Sequence, residues 1–265
     1  MDFVQAIVLA IVQGLSEFLP ISSSGHLILI PHFFGWSDQG LAFDVAVHIG
    51  TLLALLAYFR RQLGTMATAW IDSVFRRQHT RDSRLAWQIL VATVPVGLAG
   101  LLFADYIEEH FRNPLFVAGT LTFFGVLMYL ADRFGRGDKD ELSLSWPQAF
   151  AIGCAQALAL MPGTSRSGIT MTAGRALGLS RSGAARFSFL LAIPGIGAAG
   201  AYEGLKLVTA PGPVDWQPMV VGVVFAALSG LACIHFLIRF IERIGLLPFT
   251  LYRIVLAAVI VWHFA

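Results

Sequence analysis

Long apolar runs alternate with short polar segments along most of this chain. Six runs hold close to the roughly 20 residues with which a helix crosses a bilayer. They are residues 41–59, 85–104, 114–131, 187–205, 217–238 and 246–264. The polar segments between the runs carry most of the Lys and Arg residues. The pattern predicts an all-α integral membrane protein with six spanning helices.

Two further apolar regions are interrupted in the middle by turn-forming residues. Residues 3–19 are followed by Pro20, a serine run and a short apolar segment that ends at Phe34. Residues 147–161 are followed by "PGTSRSG" and by a second short segment that ends at Leu179. Each region is typical of two half-length helices joined by a turn. We interpret both as re-entrant helix hairpins, which enter and leave the membrane on the same side.

The charges in the loops test this interpretation, because cytoplasmic loops carry an excess of Lys and Arg. With both hairpins re-entrant, 14 of the 18 Lys and Arg residues lie on the inner side and two, Arg112 and Lys206, on the outer side. The inner residues are Arg60, Arg61, Arg76, Arg77, Arg81, Arg84, Arg133, Arg136, Lys139, Arg175, Arg181, Arg186, Arg239 and Arg243. If residues 147–179 crossed instead, the same residues would divide ten inside and six outside. The charges therefore favour re-entrant hairpins.

Under this topology the first hairpin dips from outside, the second dips from inside, and three spans follow each. The chain is then an inverted-topology repeat within one membrane domain, 1–265, with halves 1–132 and 133–265. Weak similarity between "AIVQGLSEFLPISSSG" and "IGCAQALALMPGTSRSG" aligns Pro20 with Pro162 and supports the repeat. Such repeats place a binding site near the membrane midplane.

Composition agrees with a membrane protein and narrows its partners. Apolar residues make up 57% of the chain and charged residues 13%, outside the range of ordinary soluble domains. No Lys or Arg precedes Arg60, so the first apolar segment lacks the basic start of a cleavable signal peptide and is expected to remain. Cys154 and Cys233 are expected to be small buried side chains rather than a disulfide or metal ligands. The basic residues lie beside the membrane, so no nucleic-acid partner is expected.

The turns of the two hairpins carry the polar chemistry of the chain. We call residues 17–26 the first tip and residues 162–170 the second tip. A broken helix at membrane depth is tolerated only where its backbone faces protein or a water-lined cavity. Each tip leads into a helix N-terminus, whose free N–H groups suit a phosphate group. We therefore expect the two tips to share one anion-binding cavity.

The second tip contains an arginine among hydroxyl groups and glycine. The Arg166 guanidinium can hold two phosphate oxygens at once. We predict that it is catalytic and that its neighbours contact the substrate; these are Gly163, Ser165, Ser167 and Thr170. The alternative for Arg166 is an ion pair with an acid such as Glu17, which would also bring the two tips together.

The first tip combines a carboxylate, hydroxyl groups and an imidazole. Gln13 and Glu17 are four residues apart and share one helix face. Ser23 and His26 are three apart, and a hydroxyl beside a base is the minimal activated nucleophile. Glu17 could orient or charge the imidazole, bind a divalent cation, or take the serine proton.

We predict that Glu17, Ser23 and His26 are catalytic together with Arg166, and that Gln13, Ser22 and Ser24 contact the substrate. The alternative is structural: residues 22–24 cap a helix and His26 lies in an interface between helices.

Four other polar residues in apolar segments are expected to lie outside the site. Asp44 and His48 share a helix face in the first span, and Glu203 lies near the end of another. Pairing or an interfacial position explains these three. Arg253 is expected to reach the inner membrane surface with its long side chain.

Three motifs resemble those of a known family. They are "QGLSE" with Gln13 and Glu17, "PISSSGH", and the nine-residue pattern "PGTSRSGIT" from Pro162 to Thr170. Together they resemble the bacitracin-resistance type of undecaprenyl-diphosphate phosphatase, an integral membrane family. The similarity extends along nearly the whole chain and includes "FSFLLAIP" and "PFTLYR".

The resemblance implies a function and its setting. It implies removal of the terminal phosphate from undecaprenyl diphosphate, a polyprenyl diphosphate lipid, which returns undecaprenyl phosphate to cell-wall synthesis. It also implies a multi-pass protein of the bacterial inner membrane, among membrane lipids, with a site reached from the periplasm. A homodimer is compatible with the sequence, which does not determine the oligomeric state.

The resemblance further implies a divalent cation, Mg²⁺ or Ca²⁺, with Glu17 as a ligand. The first signature position is the uncharged Gln13, so this motif would offer the cation one carboxylate rather than two.

Several mechanisms and functions remain open on the residues alone. Ser23 could attack the terminal phosphorus with His26 or Glu17 as base, or His26 could attack directly.

The acid-phosphatase-like lipid phosphatases also have "SSGH" and "SR" elements, but their lysine-arginine element and later histidine do not appear here. A lipid-phosphate flippase or anion transporter is the alternative function, because opposed broken helices are common in transporters.

Overall fold

Eleven α-helices account for most of the described chain. The computed structural model describes residues 1–111, 113–135, 137–209 and 216–264. The helices within these ranges are α1 (Phe3–Ser16), α2 (Ser23–Phe34), α3 (Gly40–Tyr58), α4 (Arg60–Phe75), α5 (Arg81–His110), α6 (Pro114–Phe134), α7 (Trp146–Ala157), α8 (Arg166–Ala176), α9 (Arg181–Thr209), α10 (Trp216–Ile244) and α11 (Leu247–Phe264). Arg112 and Arg136, which enter the charge count above, lie outside the described residues.

Six of the helices in these ranges, α3, α5, α6, α9, α10 and α11, are long and apolar enough to cross a membrane. The prediction of six spanning helices in an all-α protein is confirmed. Large apolar side chains such as Leu101, Phe123 and Trp262 are exposed on these helices. This exposure is expected where the surrounding solvent is as apolar as leucine.

Both predicted breaks occur where the sequence placed them. The first tip separates α1 from α2 and the second tip separates α7 from α8. Ser22 precedes α2 with a φ of 77°, and Ser165 precedes α8 with a φ of 69°. Positive φ is uncommon for residues other than glycine, costs free energy, and clusters at functional sites. The two turns therefore share an unusual backbone conformation at the residue before each new helix.

The two hairpins pack against helices from the other part of the chain. Helix α1 packs on α10, and α7 packs on α5. Glycine permits both approaches, because a Cβ at Gly14 would overlap Ser229 of α10 and one at Gly153 would overlap Ala92 of α5. Helix α8 packs on α6, and α3 meets α9. The tips are thus held between long helices.

One helix was not expected from the hydropathy pattern. Residues 60–84 form one of the polar segments between apolar runs, yet α4 forms an amphipathic helix of 16 residues within them. Its apolar residues Ile71, Val74 and Phe75 are exposed. An amphipathic helix with an exposed apolar stripe is typical of a segment that lies at the membrane surface.

The cysteines divide into one confirmed and one wrong prediction. Cys233 is buried, as expected, whereas Cys154 is exposed. Because α7 approaches α5 through Gly153, the next residue along the helix turns away from that contact.

A buried acid joins four helices at the end of α9 that lies far from Glu203. The Asp132 carboxylate of α6 accepts hydrogen bonds from Arg175 Nε (3.1 Å) and Arg181 Nε (2.7 Å). It also accepts one from the Leu246 backbone N–H at 3.1 Å. Since removing one partner of a buried ion pair leaves an uncompensated charge, this cluster fixes α6, α8, α9 and the start of α11 relative to one another.

Candidate functional site

The two tips meet at the carboxylate of Glu17. This residue caps the C-terminal end of α1 and is buried. Arg166 of the second tip donates from Nη2 to Oε1 at 2.8 Å. Ser23, the first residue of α2, donates from Oγ to Oε2 at 2.7 Å, and Gln13 donates to the same oxygen at 3.0 Å. The alternative ion pair between Arg166 and Glu17 is the observed arrangement, and it brings the tips together.

Other contacts hold Arg166 and the tips in place. Ser167 Oγ donates across the junction to the Leu19 carbonyl at 3.0 Å. Arg166 donates from Nη1 to the Ser188 carbonyl of α9 at 3.2 Å. The guanidinium is therefore fixed on both sides rather than free to rotate.

Arg253 holds the backbone of both tips from behind. It is fully buried in α11 and donates to the carbonyls of Gly163 (2.9 Å) and Thr164 (3.0 Å) in the second tip. It also donates to Leu121 O of α6 at 3.1 Å and, at 3.5 Å, to Pro20 O of the first tip. The prediction that Arg253 reaches the membrane surface is wrong. The helix begins at Leu247, so Arg253 lies about 9 Å along it, and the tip carbonyls replace water around its charge.

His26 is buried away from Ser23. Its Nδ1 lies 2.7 Å from the Ser22 carbonyl and its Nε2 lies 2.6 Å from the Tyr252 hydroxyl. The two rings also stack, with centroids 5.6 Å apart. The neighbouring Ser23 and His26 pair expected from their spacing does not form, because both ring nitrogens have other partners and Ser23 bonds Glu17.

The remaining predicted residues shape the two turns. Ser165 Oγ accepts from the Gly168 backbone N–H and caps α8. Thr170 Oγ1 donates to the Arg166 carbonyl at 2.8 Å and lies 2.7 Å from Ser188 Oγ. Gly163 has a φ of 86° and lies against α6, where a Cβ would overlap Thr120.

At the first tip, the hydroxyls of Ser22 and Ser24 are 3.4 Å apart, with Ser22 buried and Ser24 exposed.

A cavity of about 420 Å³ opens beside the Glu17 and Arg166 pair. Residues of α3, α5, α9 and the end of α7 line it, including Asp44, His48 and Glu203. His48 Nε2 lies 3.8 Å from Glu17 Oε2. The sequence analysis placed these three outside the site, yet the structure brings them into its cavity. Their position as ionisable residues inside spans was the signal that could have included them.

Both oxygens of Glu17 are engaged by donors of this chain in the observed arrangement, and one of those donors is the Arg166 guanidinium. Mg²⁺ and Ca²⁺ need oxygen ligands that face the ion. In the part of the chain that the structure describes, no group of three or more His, Cys, Asp or Glu side chains has the placement to hold a metal. Mg²⁺ or Ca²⁺ at Glu17 stays a prediction, and the mechanism below uses neither.

Comparison with known families shows the family of this chain. The family model described as bacitracin resistance protein BacA matches residues 6–259, which include both tips, the cavity and Arg253. The chain belongs to the BacA family. The resemblance noted in the motifs is thereby confirmed.

BacA-family relatives match this chain over its full length. Undecaprenyl-diphosphatase 2 of Stutzerimonas stutzeri is 56% identical over 268 residues, which cover 100% of this chain and 99% of the relative. The undecaprenyl-diphosphatase of Nitrosococcus oceani is 51% identical and covers 100% of both chains. That of Alteromonas mediterranea is 50% identical over 99% of this chain and 98% of its own.

The BacA-family motifs account for only part of what surrounds the tips. Tyr252 and Arg253 occur in the "PFTLYR" segment, which the sequence analysis quoted without giving it a role in the site. Gln156 of α7 lines the cavity and was not singled out. These residues act across large sequence separations, and motif spacing carries no information about such contacts.

Proposed function

We infer that this chain hydrolyses undecaprenyl diphosphate to undecaprenyl phosphate and inorganic phosphate. The observation that carries this function is made at the Glu17 carboxylate. It accepts a hydrogen bond from the Ser23 hydroxyl of one broken helix and one from the Arg166 guanidinium of the other. A phosphoryl group needs a nucleophile, a base and a positive charge within one small volume. The names of the full-length relatives support the same substrate.

We propose that the first step is attack by Ser23 on the terminal phosphorus. As the diphosphate enters, Arg166 Nη2 exchanges its hydrogen bond to Glu17 Oε1 for one to a phosphate oxygen. Glu17 Oε2, 2.7 Å from Ser23 Oγ, then accepts the serine proton. The new bond joins Oγ to phosphorus, and the bridging oxygen leaves with undecaprenyl phosphate.

In the second step water attacks the phosphorus of the phosphoserine. Its proton passes to His48 Nε2, which lies in the cavity 3.8 Å from Glu17 Oε2, the bond from phosphorus to Ser23 Oγ breaks, and the serine oxygen recovers its proton from Glu17. Phosphate leaves, and Arg166 returns to its ion pair with Glu17. Positioning and charge neutralisation supply most of the acceleration in such a transfer.

Replacing Ser23 tests whether Ser23 or His26 is the nucleophile. Ser23→Ala is expected to lower kcat by about 10³-fold or more, because it removes the attacking oxygen. Rapid acid quenching of wild type with substrate labelled in its terminal phosphate is expected to leave the label on Ser23. Ser37→Ala, which removes an exposed hydroxyl outside both tips, is the control and should retain activity. Label on His26, or full activity in Ser23→Ala, would contradict the assignment.

The alternative function, transport of a lipid phosphate or anion, is less favoured. The relatives are named as diphosphatases, and the site has a hydroxyl placed on a carboxylate. Phosphate release by purified protein in detergent distinguishes the two functions, because hydrolysis needs no compartment whereas transport does.

We propose that the architecture is an inverted repeat of halves 1–132 and 133–265, with each hairpin re-entrant. The pairing of helices supports it: α1 on α10 corresponds to α7 on α5, and α2 on α11 corresponds to α8 on α6. Helix α3 meets its counterpart α9, and α6 meets its counterpart α11. Such exchange of partners is the pattern that a two-fold relation between halves produces.

We propose that the cavity opens to the periplasm and that the protein resides in the bacterial inner membrane. The cavity extends from the tips to Leu41 at the start of α3 and Glu203 near the end of α9. The charge bias of the loops assigns both of these ends to the outer side. A homodimer remains a prediction.

Cysteine labelling tests this topology. In a background with Cys154 and Cys233 replaced by Ala, Asp38→Cys is expected to react with a membrane-impermeant maleimide in spheroplasts. Asp140→Cys is the matched inner position and should react only after the membrane is opened. Ala176→Cys, at the exposed end of α8 and therefore beyond the second hairpin, should behave like Asp140→Cys. Labelling of Ala176→Cys in intact spheroplasts, with Asp140→Cys still protected, would disprove that the second hairpin is re-entrant.

A further inference from the structure

Gln156 is a buried amide beside the Glu17 and Arg166 pair. It lies in the last turn of α7 and is 1% exposed. It lines the same cavity as Glu17 and Arg166. Among the described residues, neither its Oε1 nor its Nε2 has a hydrogen-bond partner.

Such a side chain requires an explanation, because buried polar atoms are almost always hydrogen-bonded and an unmade bond costs free energy. Water could satisfy the amide while the cavity is empty. An apolar side chain of similar size would satisfy the packing without any partner. An amide that faces a cavity is therefore a candidate ligand for whatever the cavity binds.

A comparison of the two tips explains why Gln156 has no internal partner. When the positive-φ residues Ser22 and Ser165 are paired, which shifts the alignment of Pro20 with Pro162 by one residue, Gln13 and Gln156 each lie nine residues upstream. Gln13 bonds Glu17, which lies four residues further along α1. The corresponding position in the second tip is Leu160, which offers no acceptor. Both hairpins therefore carry the glutamine donor, but only the first hairpin carries the carboxylate that accepts from it.

We propose that Gln156 binds the substrate by donating from Nε2 to an oxygen of the diphosphate. This inference rests on the proposed function and extends it to a further recognition residue. Arg166 can hold two phosphate oxygens. A diphosphate has more oxygens than one guanidinium can reach, and Gln156, which lines the same cavity, supplies a neutral donor for another oxygen.

The test compares Gln156→Met, which keeps the length of the side chain, with wild type. With farnesyl diphosphate as substrate, KM is expected to rise about tenfold or more, because a hydrogen bond to a charged group is lost. The unfolding temperature without ligand should stay the same or increase, since the unpartnered amide is gone. Gln156→Glu should raise KM further, because a carboxylate repels phosphate.

Gln88 provides a matched control in α5. It is equally buried, lies outside the cavity, and donates from Nε2 to the Leu144 carbonyl at 2.8 Å. Gln88→Met is expected to lower the unfolding temperature and leave KM unchanged. If both Gln156 variants have the wild-type KM, the proposal is overturned.

Binding of a non-hydrolysable methylene analogue of farnesyl diphosphate separates this inference from the proposed function. If wild type binds the analogue but releases no phosphate from the diphosphate, hydrolysis is disproved. Gln156 is then still judged by whether its variants bind the analogue about tenfold more weakly. Equal affinity in wild type and both variants overturns the inference even if hydrolysis is observed.

Discussion

Arg166→Met is expected to lower kcat/KM by about 10³-fold or more, because a guanidinium that neutralises a transferred phosphoryl group contributes on this scale. It should also lower the free energy of unfolding, since the buried Glu17 carboxylate loses its cationic partner. Phosphate release and thermal unfolding of the same purified preparations measure the two effects. Arg239→Met, at an exposed position of α10, is the control and should change neither.

A double variant separates the two effects of Arg166. Arg166→Met with Glu17→Gln removes both charges, so no unpaired ion remains in the interior and much of the lost stability should return. Activity should not return, because both the base and the phosphate ligand are absent. Recovery of activity in the double variant would show that Arg166 serves only to neutralise Glu17.

Arg253→Met is expected to disturb both tips at once. The substitution removes the Arg253 donor from the tip carbonyls of Pro20, Gly163 and Thr164, and also from Leu121 O, which keeps its helical hydrogen bond within α6. At roughly 1–3 kcal/mol for each unsatisfied group, a loss of about 4 kcal/mol or more in unfolding free energy follows. Few single substitutions in a membrane protein of this size should cost as much.

A conservative substitution shows whether Arg253 acts by positioning. Arg253→Lys keeps the charge, but an ammonium has no planar set of donors that reaches four carbonyls. The folded fraction of Arg253→Lys should therefore have a reduced kcat. Tyr252→Phe, the neighbouring control, loses only the hydroxyl beside His26. Its free energy of unfolding should stay within about 1 kcal/mol of the wild-type value. Wild-type kcat in Arg253→Lys would limit the role of Arg253 to stability.

The main elements of this protein could be predicted from local sequence. Hydropathy runs gave the six spanning helices, and proline, serine and glycine clusters gave the two breaks, because both signals lie within a few adjacent residues. Buried ionisable residues at the breaks directed attention to Glu17 and Arg166, whose pairing was one of two open alternatives.

Contacts between distant segments could not be predicted in the same way. The spacing of Ser23 and His26 predicted that their side chains would be in contact. Instead the imidazole of His26 bonds the hydroxyl of Tyr252, which is 226 residues away in sequence. Arg253 was assigned to the surface because its partners are backbone carbonyls, which no side-chain pattern reveals. Asp44, His48 and Glu203 were excluded because their common cavity exists only after α3 and α9 pack together.

The ionic cluster around Asp132 bears on how the molecule handles its lipid. If the protein worked by alternating access, α6, α8 and α9 would have to separate at that end. Each separation would leave Asp132 without one of its arginine partners, which is costly for a buried charge. Arg181 and Glu203 lie about 33 Å apart along α9, so the ionic cluster around Asp132 is far from the end of the cavity at Glu203. Because separating these helices would cost free energy, we expect the lipid to enter and leave near Glu203 while the Asp132 end stays closed.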